Sequence, residues 1–216
     1  MSSVRFRERC RPMFAEIRDF LSERAVTHAQ VTMPRMQHGP LPWGQSEETS
    51  GGFLLEWGCH ALDYTRFMTG LEVAQVQAFR SQPEGREQTL SDSVNFRFSN
   101  GGTMHLLFVT LQAQDVRAPG RRVVPLFSFA FVGGWVVVYM EGGKIWPYEI
   151  NGEHIRTEEF DPWAGHDRVF IEAVRSGDAG AVPNDYDDGL ETVGPILAAI
   201  ESTREGGKTI DVAPPV

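Results

Sequence analysis

Within GGFLLEWGCHALDYTRFMTG, residues 51–70, Glu56, His60 and Asp63 fall at steps of four and three, so a helix there stacks an imidazole between two carboxylates on one face. An imidazole with an unperturbed pKa near ~6.5 exchanges protons at neutral pH, and a carboxylate one turn away orients it and raises that pKa. The same residues also suit a capped core helix. In that reading Glu56 is an anion at the helix N-terminus, His60 is half-buried and satisfied, and Asp63 either holds His60 or solvates the helix. Residue types alone leave both readings open.

Other chemistries find less support. Glu56, Cys59, His60 and Asp63 form one local cluster without H-E-x-x-H or paired C-x-x-C, too few ligands for a closed zinc site, so no metal is expected. NDYDDG, residues 184–189, lacks calcium-loop spacing. There is no G-x-S-x-G, and the acidic helical setting of Cys59 disfavours a thiolate nucleophile. Trp43, Gln45 and His38 lie in a Pro- and Gly-rich stretch, where an aromatic platform with amide and imidazole donors suits a polyol; a loop anchored by a buried tryptophan is the plainer alternative. His166 and Asp167 open a late helical segment, Asp167 as its cap or either residue as a substrate contact.

The elements that must position these groups are legible as periodicities. Met13, Phe14, Ile17, Phe20 and Leu21 predict a helix over 9–24, with the N-terminal arginines (Arg5, Arg7, Arg9, Arg11, Arg18 and Arg24) read as a solvated face among interspersed acids. THAQVTM reads as a strand, PRMQHGPLPWGQSEETSGG as a long irregular loop, and the opening stretch as a helix ending at Gly70. From Val73 the pattern turns to strands, with SNGGT as a hairpin turn. The charge-free run VVPLFSFAFVGGWVVVYM, residues 123–140, has the length of a membrane span, but Gly133-Gly134 divides it into two Val- and Phe-rich strands. Two closing helices follow, the second capped by Asn184 or Asp185 and kinked at Pro195. The order predicts an α+β domain, one unit over 1–216, with an open, mostly antiparallel sheet and helices on one face. A net charge of −9 argues against nucleic acid or anionic membrane as partner, and two cysteines without an apolar leader point to the cytoplasm. The runs LFSFAF and WVVVYM exceed what a few helices can cover, which predicts a homo-oligomer through the open sheet face.

Four segments in order carry a family resemblance: VRFRERCRPMFAEIRDFL, the GG…E-x-G-x-H-x-x-D…G stretch, DSVNFRFSNGGTMHL and YDDGLETVGPILAAIESTREGGKTIDV. Together they resemble the C-terminal, substrate-binding domain of the Gfo/Idh/MocA family of NAD(P)-dependent sugar and cyclitol oxidoreductases. The resemblance implies a sugar or polyol ligand, with His60 moving the hydroxyl proton, Glu56 standing where the family has aspartate, and the 34–50 loop bordering the substrate. It also implies NAD or NADP, bound in the family by an N-terminal Rossmann domain with a catalytic lysine. No G-x-G-x-x-G or E-K-P occurs here, and the lysines are Lys144 and Lys208, both beside double glycines. The chain is therefore expected to bind no cofactor of its own. It is read as a fragment, a half that pairs with a separate Rossmann-domain subunit, or a cofactor-free descendant: a sugar-binding module or an acid–base lyase, epimerase or hydrolase using His60 and Glu56.

Overall fold

Proline at position 12 has no amide proton to give to a preceding turn, so it opens a helix more readily than it continues one. The computed structural model, which describes residues 2–35, 47–82, 84, 89, 91–110, 125–140 and 144–212, shows this at the first element. Helix α1 runs Pro12–Ser22, and the arginine-rich segment before it is a tight 3-10 turn, Arg7–Cys10, instead of the first turn of a helix starting at residue 9. Strand β1 (Val26–Arg35) follows, then a one-turn helix α2 (Glu47–Ser50), a wide π-turn over Leu54–Gly58 and helix α3 (Cys59–Thr69). Gly70 ends α3 in the left-handed region, φ 67°, and its N–H donates to the Arg66 carbonyl at 2.7 Å, as the sequence predicts.

Strands β2 (Val73–Ser81), β3 (Ser91–Phe98), β4 (Thr103–Thr110), β5 (Pro125–Phe131), β6 (Gly134–Tyr139), β7 (Ile145–Ile150) and β8 (Glu153–Glu159) form the meander. Helix α4 (Pro162–Ser176), helix α5 (Tyr186–Arg204) and the short β9 (Ile210–Asp211) close the described chain. The nine strands make one sheet in the order β8-β7-β6-β5-β1-β4-β3-β2-β9. Only β1 and β4 run parallel, with Gln30 opposite His105; the other pairs are antiparallel. The fold is thus the predicted α+β class. The 123–140 run divides into β5 and β6, and among the described residues no helix is long and apolar enough to cross a membrane.

Alternation along the strands decides which face meets the helices. Ala29 and Val31, Val76 and Ala78, Val94 and Phe96, Leu106 and Phe108, Phe127 and Phe129, and Val136 and Val138 are buried and join Phe14, Ile17, Leu62 and Ile196 of the helices in one core. The opposite face differs from the apolar surface expected of the β5 and β6 runs. Most of their phenylalanines and valines point inward, leaving Ser128, Ala130, Trp135 and Val137 outward beside His28, Gln30, Ser93, Asn95 and His105. His105 bridges that face, its ring nitrogens 3.0 Å from Ser93 Oγ and 3.1 Å from Gln30 Oε1. The face mixes these hydrogen-bonded polar groups with apolar ones, Leu107 and Val137 part-buried and Trp135 and Phe79 half exposed. Helix α5 runs through Pro195, and Asp185 is its cap, accepting from the Asp188 N–H at 3.0 Å.

Candidate functional site on helix α3

Glycines set the entry to the site. Gly51 and Gly52 adopt φ of 75° and 81°, a left-handed pair that side chains disfavour, and a Cβ on Gly51 would stand 2.4 Å from Leu55 Cδ2. The chain then enters the π-turn, which holds Glu56 half-buried and Trp57 beside it. Gly58 ends the π-turn against α5, where a Cβ would meet Ile196 Cδ1 in ordinary contact at 3.4 Å. A π-turn advances the backbone less per residue than an α-turn, so the even 3.6-residue stacking of Glu56, His60 and Asp63 is broken at its first step.

His60, in the first turn of α3, is half-buried in an aromatic frame. Phe6 meets its ring edge-on at 5.4 Å between centroids, Trp57 lies at 6.0 Å and Tyr64 at 5.8 Å. Its Nδ1 is 3.3 Å from the Tyr64 hydroxyl. Burial and then the nearby Arg7 guanidinium push the imidazole pKa down to about 4, the opposite of the rise expected from a carboxylate neighbour. His60 is therefore neutral at physiological pH. Arg7 is itself held over the face of Trp163, at 4.3 Å.

Asp63 leaves the His60 face altogether. It is fully buried, with Arg9 Nε 2.8 Å from Oδ2 and Arg9 Nη2 2.5 Å from Oδ1, and it accepts from Thr192 Oγ1 at 3.3 Å. Its role is neither to hold His60 nor to solvate the helix. Arg9 reaches on to the Pro183 carbonyl and the Asp188 carboxylate, so the pair ties the N-terminal turn and α3 to the start of α5. Burial raises the Asp63 pKa to about 6 against the opposing pull of Arg9. Arg66, one turn along α3, gathers Glu72, Asp188 and Glu191 in the same way. Arg11 is fully buried between Glu8 and Glu158. The reading of the N-terminal arginines as a solvated face is corrected for Arg9 and Arg11: Arg9 meets buried Asp63, and Arg11 meets buried Glu158 besides its neighbour Glu8.

His166 is buried on α4, its Nε2 3.0 Å from Ser3 Oγ, which donates onward to Asn184 Oδ1 at 3.3 Å. It shares no hydrogen bond or ring contact with His60 or Glu56. Asp167 does not cap α4; it is exposed and pairs with Arg5, while Asp161, just before Pro162, accepts from the N–H groups of Trp163 and Ala164. Trp43, Gln45 and His38 lie outside the described residues. Missed from the sequence were Tyr64, whose i+4 spacing from His60 was available as a signal, and Phe6, Arg7 and Arg9, which had none.

A pyrophosphate needs open backbone N–H groups at a helix start; at α4 and α5 those groups are taken by the side chains of Asp161 and Asp185. Among the described residues no three His, Cys, Asp or Glu side chains come together as metal ligands. Burial holds the thiols of Cys10 and Cys59 protonated, with pKa values pushed up to about 11 and about 12.

An open, mostly antiparallel nine-stranded sheet with helices packed on it defines an α+β domain. The chain belongs to the Gfo/Idh/MocA family: residues 23–145, more than half its length, match the GFO/IDH/MocA C-terminal domain. Solved structures share the fold. One is aldose-aldose oxidoreductase from Caulobacter crescentus complexed with glycerol, 19% identical with a TM-score of 0.74, covering 97% of this chain and 63% of that one. Others are levoglucosan dehydrogenase in complex with NADH and levoglucosan (18%, 0.72, 99% and 66%) and an oxidoreductase domain protein from Kribbella flavida (14%, 0.72, 97% and 66%). The chain thus spans less than two thirds of the length of these proteins. No curated protein matched the sequence.

Proposed function

We propose that these residues are the substrate-binding and oligomerising domain of an oxidoreductase acting on a sugar or cyclitol, working in the cytoplasm with NAD or NADP held by a domain or subunit outside them. The observation that carries this reading is the His60 site: one neutral imidazole framed by Phe6, Trp57 and Tyr64 at the start of α3. Aromatic faces match the apolar faces of a sugar ring, and an imidazole edge addresses its hydroxyl rim. Glu56 and His60 are the catalytic polar pair of this reading, with Trp43 and Gln45 as substrate contacts. Asp63 supports α3 through Arg9, and His166 holds the N-terminal segment through Ser3. Two chains associate through the open sheet face, an interface more polar than a core but within the range of stable complexes.

Calorimetric titration of the purified chain with aldoses, glycerol and cyclitols, and separately with NAD and NADP, tests this. Binding of at least one polyol, lost in His60→Ala, with neither nucleotide bound, is the expected result. Micromolar nucleotide binding, or a panel in which nothing binds, sinks the proposal, and turnover of a sugar by the chain alone favours the acid–base alternative.

A further inference from the structure

The Tyr64 hydroxyl is buried one turn beyond His60. Burial raises its pKa well above the ordinary phenol value, so the O–H is present at every physiological pH. A buried phenolic O–H needs an acceptor for its proton. Among the described residues that acceptor is His60 Nδ1, at 3.3 Å. A proton on Nδ1 would leave the phenolic O–H buried with nothing to receive it, the costlier arrangement. His60 Nε2 has no hydrogen bond among the described residues and is not one of the buried orphaned atoms, so it is the nitrogen left to face a ligand.

We propose that Tyr64 is a positioning residue that holds His60 as its neutral Nε2–H tautomer, so that His60 meets a sugar or polyol oxygen as a hydrogen-bond donor instead of a base. The substrate class here rests on the function proposed above; the tautomer does not. The groups around the ring agree with a neutral imidazole. Phe6, Trp57 and Tyr64 supply rings, Arg7 adds a positive charge from the N-terminal turn, Glu8 lies on the Tyr64 side, and Glu56 belongs to the preceding turn. A neutral N–H aimed at a carbonyl or hydroxyl oxygen stabilises negative charge developing there without first releasing a proton.

The test is the long-range 1H–15N spectrum of the imidazoles in the uniformly 15N-labelled chain at pH 7, with His60 assigned by its loss in His60→Gln. The expected wild-type pattern has the proton on Nε2 and Nδ1 bare. In Tyr64→Phe, an Nδ1–H population appears and the His60 titration midpoint moves up, because the donor that favoured the neutral ring is gone. A wild-type spectrum with Nδ1 protonated, or an even mixture of tautomers, overturns the proposal without reference to any variant. So does a Tyr64→Phe protein with a dispersed, folded spectrum and an unchanged tautomer. None of these spectra needs a sugar, so failure of polyol binding would refute the substrate-domain reading and leave the tautomer standing, and an Nδ1–H ring would do the reverse.

Discussion

Replacing Arg9 by leucine strands the most deeply buried carboxylate of the site. Arg9 and Asp63 retain 5% and 0% of their side-chain exposure, so their interaction is not screened by solvent as a surface pair would be. With Arg9 gone, Asp63 keeps the single hydrogen bond from Thr192 and must stay charged without its partner or take up a proton. Breaking a buried pair in this way costs about 3–5 kcal/mol. For a chain of this size that corresponds to a fall in Tm of roughly 6–20 °C, at ~2–4 °C per kcal/mol. Urea denaturation followed by circular dichroism at pH 7 measures it. The double variant Arg9→Leu, Asp63→Leu removes both charges and should lose less than Arg9→Leu alone, since a well-packed apolar pair often matches a buried ion pair. A single-variant loss under about 1 kcal/mol, or strictly additive losses in the cycle, would refute the claim that the pair organises the junction of the N-terminal turn, α3 and α5.

Three further outcomes are expected. Asp63 has a folded pKa of about 6 against an unfolded value near ~3.9, so the stability tied to its proton is fully present below the unfolded value and is lost as pH rises through about 6. The stability of wild type relative to Asp63→Asn should therefore grow between pH 7 and pH 4.5 in urea titrations, and a constant difference would show that Asp63 does not titrate there. Phe127 is 1% exposed and packs on Phe14, Tyr64, Phe129 and Trp146; Phe127→Ala should destabilise by about 3–5 kcal/mol by the same assay. Light scattering should report about twice the chain mass for wild type and the chain mass for Trp135→Glu, which puts a charge on the open sheet face; a wild-type monomer at high concentration would remove the association proposal.

What the sequence determined by itself was whatever local periodicity and turn chemistry dictate. The helices around Phe14 and His60, the strand meander, the Gly70 cap and the division of 123–140 at Gly133-Gly134 all depend on residues within a few positions of one another. The family and the candidate histidine were legible for the same reason, since E-x-G-x-H is a local pattern. The tertiary structure decided the partners. A helical spacing places Asp63 beneath His60, but the arrival of Arg9 from 54 positions away gives Asp63 to a different contact and leaves His60 to Tyr64. The N-terminal arginines have the composition of a solvated face, and only the carboxylates that fold around Arg9 and Arg11 bury them. The pKa of His60 followed the same rule. Residue type set the range in which it titrates, whereas burial among Phe6, Trp57 and Tyr64 beside the Arg7 charge moved it out of the neutral range, because desolvation and charge proximity belong to three-dimensional packing and not to sequence spacing.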